Sequence, residues 1–467
     1  MTGWWQSGAV ALAAAYRRGE VTPVQVLADC FERIDTVNPR LNALIALRRD
    51  AAFADAERST QRFAGGAPLG LLDGIPLAVK DNIPSADLPT TWGSPAGRNH
   101  RPAHDELALA RARDAGAIVV GKTNVPEFTL EGYTSNPLFG TTRNPWNPAL
   151  TPGGSSGGSV AAVASGMVPL ALGTDGGGST RRPASHTGLV GFKPSIGAIA
   201  REDALPPLLL DFEVIGPIAR RVADVRLLFE ALRGPHAADR DSYAAAAAGA
   251  AGAALPSRLR VLYVPTLDGA PVDAQIAASC RQAVDRLRAL GHDVQTGLLP
   301  LDLGFMTTGW PVIGQIGLAW LFGWHPGWRD GASAKYLQMA DTGARIPASD
   351  LWQIQQTVAQ LRREVARLFT RIDLIVTPAT AALPWPAEES YPAVIDGQAV
   401  GPRGHAIFTA WVNAAGLPAV ALPTAASREG LPIGVQIIGA YGSDGHLLDL
   451  ASAFEAAAPQ GWNWPAL

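Results

Sequence analysis

A lysine at the end of an apolar stretch and two runs dense in glycine and hydroxyl side chains hold the residues of this chain that could do chemistry. The lysine is Lys80, in Leu72-Asp73-Gly74-Ile75-Pro76-Leu77-Ala78-Val79-Lys80-Asp81-Asn82. The first run reads Thr151-Pro152-Gly153-Gly154-Ser155-Ser156-Gly157-Gly158-Ser159. The second reads Gly173-Thr174-Asp175-Gly176-Gly177-Gly178-Ser179-Thr180-Arg181-Arg182-Pro183-Ala184. Glycine at this density frees the backbone to expose its N–H groups, and hydroxyls sit among them. That is raw material for an oxyanion hole beside a serine nucleophile. A serine hydroxyl needs a base to become a nucleophile, and a lysine taken out of water can be that base, because burial disfavours the ammonium. Lys80 follows five apolar residues that would carry it to the end of a buried strand. Ser155 or Ser156 could pass a proton between it and another hydroxyl. The N–H groups of Gly176, Gly177, Gly178 and Ser179 could hold a negative oxygen. The competing reading of such runs is a flexible loop or a phosphate cradle. No Gly-Lys-Ser/Thr follows either run, and neither matches the dinucleotide spacing.

These segments need a frame to position them. Pro23 to Val37 places Val24, Val26, Leu27, Cys30, Phe31 and Ile34 on one broad face behind a capping Thr22, which predicts a helix. Ala51 to Phe63 reads as a second helix, and residues 1–65 as an N-terminal helical segment. Asp105 to Gly116 is a helix feeding the strand Ala117–Val120. Gly157 to Gly166 is a small-residue helix, Val168 to Leu172 a buried strand, and Val222 to Arg233 another helix. Residues 234–258, with their Ala/Gly tract, read as a surface connection. Alternation then resumes: strand Leu259–Val264, helix Val272–Leu290, helix Leu351–Phe369, strand Asp373–Thr377, strands Pro418–Pro423 and Ile433–Ile438, and helix His446–Ala458. The pattern predicts an α/β fold over residues 1–467: a single large domain with a mixed central sheet covered by helices on both faces. Aromatic residues crowd into 305–336, either as a helical insertion packed on the core or as a pocket wall.

The chain has 467 residues, a formal net charge of −3 and 47% apolar residues, which suits a large folded core and gives no basic surface for nucleic acid. Its two cysteines, Cys30 and Cys280, fit no disulfide framework or metal cluster, which points to a reducing compartment, the cytoplasm. The eight histidines form no metal-ligand pair, since Pro102 interrupts His100 and His104. The start shows no signal-peptide pattern, and no apolar run is long enough to span a membrane. The expectation is a protein without metal or cofactor, nucleic acid or membrane partner.

The three segments resemble those of the amidase signature family of serine hydrolases. Gly74-Ile75-Pro76 through Lys80-Asp81 and the two glycine runs match the family's own. So do Gly116 to Asn124, Pro126-Glu127-Phe128, Thr142 to Trp146, Gly191 to Pro194, and Leu431 to Gln436. The resemblance implies the amidase signature fold and a Ser-cisSer-Lys triad. Ser179 would attack the carbonyl, Ser155 would relay its proton from a cis peptide, and Lys80 would be the uncharged base. It implies an oxyanion hole at Gly176, Gly177 and Gly178, with Ser156, Asp175 and Arg181 bracing the loop. Gly176 and Thr180 depart from the commoner pattern, as does Ser195-Ile196-Gly197-Ala198, but no departure touches the triad. The implied activity is hydrolysis of a carboxamide through an acyl-enzyme. Trp92, Phe128, Trp310 and Trp324 are the candidate pocket walls, favouring a small apolar or aryl amide. The alternatives are the glutaminase subunit of a tRNA-dependent amidotransferase, a hydrolase of esters, carbamates or cyclic or oligomeric amides, and a scaffold without catalysis. The N-terminal helices could also pair two copies into a homodimer.

Overall fold

Apolar residues alternate with a period of two along the strands, and both sets are buried, so the sheet must be covered on each face. The computed structural model describes residues 3–251, 256–458 and 463–467. Eleven strands form its main sheet: β1 Leu44–Leu47, β2 Pro76–Lys80, β3 Ile118–Thr123, β4 Leu170–Asp175, β5 Val190–Lys193, β6 Val214–Ala219, β7 Arg260–Tyr263, β8 Asp293–Thr296, β9 Leu374–Pro378, β10 Ala419–Ala426 and β11 Pro432–Gly439. Their order is β1-β3-β2-β4-β6-β5-β10-β11-β9-β7-β8. Strand β2 runs parallel to both β3 and β4, and β7 parallel to β8 and β9. The strands from β4 through β6, β5, β10 and β11 to β9 are antiparallel to their neighbours. The sheet is therefore mixed, as the sequence predicts.

One face carries Leu77, Val79, Val119, Leu170, Leu172, Val435 and Ile437 beneath the helices Ala9–Arg18, Val222–Leu232, Ala274–Ala289 and Asp444–Ala456. The intervening residues Ala78, Ile118, Val120, Ala171 and Ala421 pack on the other face with the helices Pro23–Leu41 and Gly157–Ala164. A third cluster covers the far end of the sheet, where Ile375 and Ile438 meet the helices Trp310–Trp324 and Ala348–Leu368. The helix Pro23–Leu41 starts as its sequence dictates. The Thr22 side chain accepts from the Gln25 N–H, and the Gln25 side chain accepts from that of Thr22.

Several elements differ from their sequence reading. The N-terminal 65 residues hold the edge strand β1 as well as helices. Strand β6 contains Pro217, whose missing N–H weakens a strand reading, yet it pairs on both sides. Within 234–258 the chain forms the helix Arg240–Ala251, since alanine's helix propensity outweighs Gly249. Residues 252–255 of that connection lie outside the described residues. Among the described residues no helix is long and apolar enough to cross a membrane.

Candidate active site

Parallel neighbours β2 and β4 end at the same edge of the sheet, because Val79 pairs with Leu172. Lys80 is the last residue of β2, and Thr174 and Asp175 close β4. The carboxyl ends of parallel strands are the usual place for a ligand in α/β folds. Here the Lys80 side chain is 0% exposed. Its Nζ lies 2.8 Å from Ser155 Oγ, 2.8 Å from Thr174 Oγ1 and 3.3 Å from the Thr174 carbonyl oxygen. No carboxylate pairs with this nitrogen among the described residues. Burial brings its pKa down to about 7, against the pull of Glu213 and Asp175 upward and with the help of Arg201. The amine is thus poised between its two protonation states near neutral pH.

Ser155 enters the site from a sharp turn, where the Gly154–Ser155 peptide bond is cis. The next residue, Ser156, links the two glycine runs. Its N–H donates to the Ser179 carbonyl oxygen at 3.2 Å, and its Oγ donates to the Thr174 carbonyl oxygen at 3.2 Å. Ser179 sits between the end of β4 and the helix Arg181–Thr187 and is 8% exposed. It opens onto a cavity of about 250 Å3.

Asp175 shapes the loop that carries Ser179. Its carboxylate accepts from the Gly178 N–H at 2.7 Å and from the Thr180 N–H at 3.1 Å. It also pairs with Arg181 at 2.8 Å, both side chains being fully buried. Burial alone would raise the Asp175 pKa, but Arg181, Lys193 and Asn413 hold it well below the usual carboxylate range. Arg181 also donates to the Asn413 and Gln436 side-chain oxygens and to the Thr409 carbonyl oxygen. Asn413 returns two bonds to Asp175, at 2.7 Å to its carbonyl oxygen and 3.0 Å to its carboxylate.

This arrangement corrects one expectation. The Gly178 N–H is turned toward Asp175, so it is not open to a substrate oxygen. The N–H groups of Gly176, Gly177 and Ser179 have no partner among the described residues. Two glycines of the loop are required by space. A Cβ at Gly177 would lie 2.9 Å from Trp310 Cζ2, and one at Gly178, where φ is +113°, would lie 2.2 Å from Thr409 Oγ1.

The four candidate pocket aromatics separate. Trp310 lines the Ser179 cavity and stacks on Phe212 with centroids 5.6 Å apart. Trp92 and Phe128 line an adjoining cavity of about 400 Å3 that shares Thr129, Leu130 and Leu209 with the first. Trp324 is 76% exposed and lines neither, which corrects its assignment to the pocket. It follows Trp320 by four residues on the outer side of the helix, whose inner side carries Ile313, Leu318 and Leu321. Sequence reasoning missed Asn413 and Thr409, which lie in no segment singled out. It also missed the roles of Thr174 and Gln436, although both stand in segments that carried the resemblance.

Residues 25–448 match the family described as Amidase. In Symbiobacterium thermophilum, one subunit of the glutamyl-tRNA(Gln) amidotransferase is 33% identical over 98% of each chain. A Mycobacterium bovis protein named as an amidase, AmiB2, is 35% identical over 99% of this chain and 98% of its own. Among solved structures, a bacterial aryl acylamidase of the amidase signature family superposes with a TM-score of 0.87 at 27% identity, over 97% of this chain and 96% of that one.

Proposed function

The chain belongs to the amidase family, that of the amidase signature enzymes, and from this premise we propose that it is an amidohydrolase that carries the acyl group on Ser179. The observation that carries the reading is the buried Lys80 amine, 2.8 Å from the Ser155 hydroxyl and, among the described residues, without a carboxylate partner. In the proposed reaction Lys80 starts uncharged. Ser179 Oγ attacks the amide carbon while its proton passes to Ser155 Oγ and the Ser155 proton passes to Lys80 Nζ. The carbonyl oxygen takes the electron pair and accepts hydrogen bonds from the Gly176, Gly177 and Ser179 N–H groups. The C–N bond then breaks, and the proton on Lys80 returns through Ser155 to the leaving nitrogen. Water attacks the acyl ester by the same proton path, which releases the acid and restores Ser179.

The cavity's apolar wall, with Leu130, Leu209, Trp310, Pro311 and Met339, supports a small substrate bearing an apolar or aryl group. The same groups would open an ester or a carbamate. The two buried and unpaired cysteines, Cys30 and Cys280, fit work in the cytoplasm. The test is intact-mass detection of an acyl group from a slow anilide, or of a phosphonyl label, mapped by peptide sequencing. Labelling of Ser179 and loss of turnover in Ser179→Ala are expected; a label on another residue overturns the assignment.

A second reading, the glutaminase subunit of a tRNA-dependent amidotransferase, is favoured by the match to the Symbiobacterium protein along the whole of both chains. It requires glutamine hydrolysis that outpaces simple amides, and partner subunits that stay with the chain on purification. Sedimentation of the purified chain tests whether two copies pair through the N-terminal helices.

A further inference from the structure

Charge around the Ser179 cavity does not cancel. Its polar wall holds Glu131, Arg182, Arg403 and His405. Glu131 forms an ion pair with Lys335 and accepts from Tyr336 Oη at 3.3 Å. Asp175, behind the wall, is matched by Arg181. Two guanidiniums remain, and among the described residues neither forms an ion pair with a carboxylate.

Arg182 is only 6% exposed. Its Nη1 donates to the Gly177 carbonyl oxygen at 2.6 Å and to Thr409 Oγ1 at 3.0 Å. Its Nε is buried without a partner, and Nη2 makes no hydrogen bond among the described residues. Nε and Nη2 form the edge of the guanidinium that takes a carboxylate through two parallel bonds. Arg403 is exposed, with its guanidinium 5.5 Å over the Trp310 ring, which lines the same cavity. The His405 ring is buried and neither of its nitrogens has a partner among the described residues. Burial, together with the positive charges of Arg182 and Arg403, keeps it neutral. It can therefore donate one N–H and add no charge. An unmatched buried cation lowers stability, and an anion entering the cavity relieves that cost. The apolar side chains of Leu209, Trp310 and Met339 border the same space.

We propose that this cavity is a subsite for a substrate carboxylate bound by Arg182 and Arg403, so that the preferred amides carry a free carboxylate at the end of a short hydrocarbon or aryl group. The proposal rests on the reading of Ser179 as the nucleophile, because it places the carboxylate in the space onto which Ser179 opens.

The test uses two ketones that cannot be hydrolysed, 4-oxo-4-phenylbutanoate and the neutral butyrophenone, bound to the full chain in a calorimeter. The carboxylate is expected to bind at least about tenfold more tightly, a modest gain for a charge-assisted pair. Rising salt narrows the gap, since Arg403 is exposed to solvent. In Arg403→Gln, checked for an unchanged melting curve, the advantage shrinks to about twofold or less. The corresponding anilides, N-phenylsuccinamate and butyranilide, should show the same order in kcat/KM. Equal binding of the two ketones, or an advantage that Arg403→Gln leaves intact, overturns the proposal. The two readings fail separately. A carboxylate preference with no label on Ser179 keeps the anion subsite and removes the nucleophile assignment, whereas a labelled Ser179 with no preference does the reverse.

Discussion

Strands β2 and β5 each end in a lysine that the fold buries completely, and only one of the two is fitted for proton transfer. Burial brings both Lys80 and Lys193 down to about 7. Their partners differ. Lys193 Nζ donates to two carbonyl oxygens, Leu417 at 2.7 Å and Pro194 at 3.0 Å. A carbonyl can only accept, so this nitrogen is tied to a structural bond between the end of β5 and the turn before β10. Lys80 Nζ meets two hydroxyls, those of Ser155 and Thr174. A hydroxyl can accept from an ammonium and donate to a free amine. A depressed pKa therefore says that an amine can be neutral, while the chemistry of its neighbours says whether it can exchange a proton.

Four measurements would break or sharpen this contrast. Lys80→Met should lower kcat/KM by roughly 10^3-fold, the loss of a general base, in a protein that still folds; near-normal turnover would erase the distinction between the two lysines. The pH profile comes next. In the proposed mechanism turnover requires the uncharged amine, so kcat/KM should fall about tenfold for each pH unit below about 7. The inflection should be unmoved in Lys193→Met.

That same variant should lose about 1–3 kcal/mol of stability in denaturant titrations, since two carbonyl oxygens lose their donor, with turnover changed by a few-fold at most. Linkage gives its sign. Each lysine is near 7 in the folded chain and about 10.4 in the unfolded one. Between these values the unfolded chain binds the extra protons, so stability should rise with pH through that window and be level below it. Lys193→Met should flatten part of the rise. The smallest effect is expected from Thr174→Val, which takes one hydroxyl from Lys80 and leaves Ser155. A drop in turnover of roughly three- to tenfold matches the loss of one hydrogen bond.

The local half of the site was legible in the sequence. The apolar run before Lys80 predicts a buried strand end, the composition of 151–159 and 173–184 announces backbone donors and hydroxyls, and the strand–helix alternation around them predicts a mixed sheet, whereas the expected roles of Ser155 and Ser179 come from the family resemblance. What could not be read was set by distant contacts. Nothing near Asp175 indicates that its loop is held by Asn413, 238 positions away. The Gly178 N–H looks as free as its neighbours until Asp175 is seen to accept from it. Trp310 and Trp324 are alike in a string of letters, and only the rotation of their helix against the core buries one at 4% exposure and leaves the other in solvent. Strand β6 was hidden by its proline, whose place between β4 and β5 depends on a sheet that local propensity does not reveal.

The Arg181 knot has a consequence for biosynthesis. Beyond the Asp175 carboxylate, its oxygens come from Thr409, Asn413 and Gln436, the last of them 255 residues downstream. A chain still growing on the ribosome exposes Ser179, the proposed nucleophile, long before those residues leave the exit tunnel. Until they arrive, the arginine lacks three of its acceptors and the loop lacks its final shape. Under the proposed mechanism, hydrolytic competence waits for the last strands to be translated and docked, and a prematurely terminated product is an inert one.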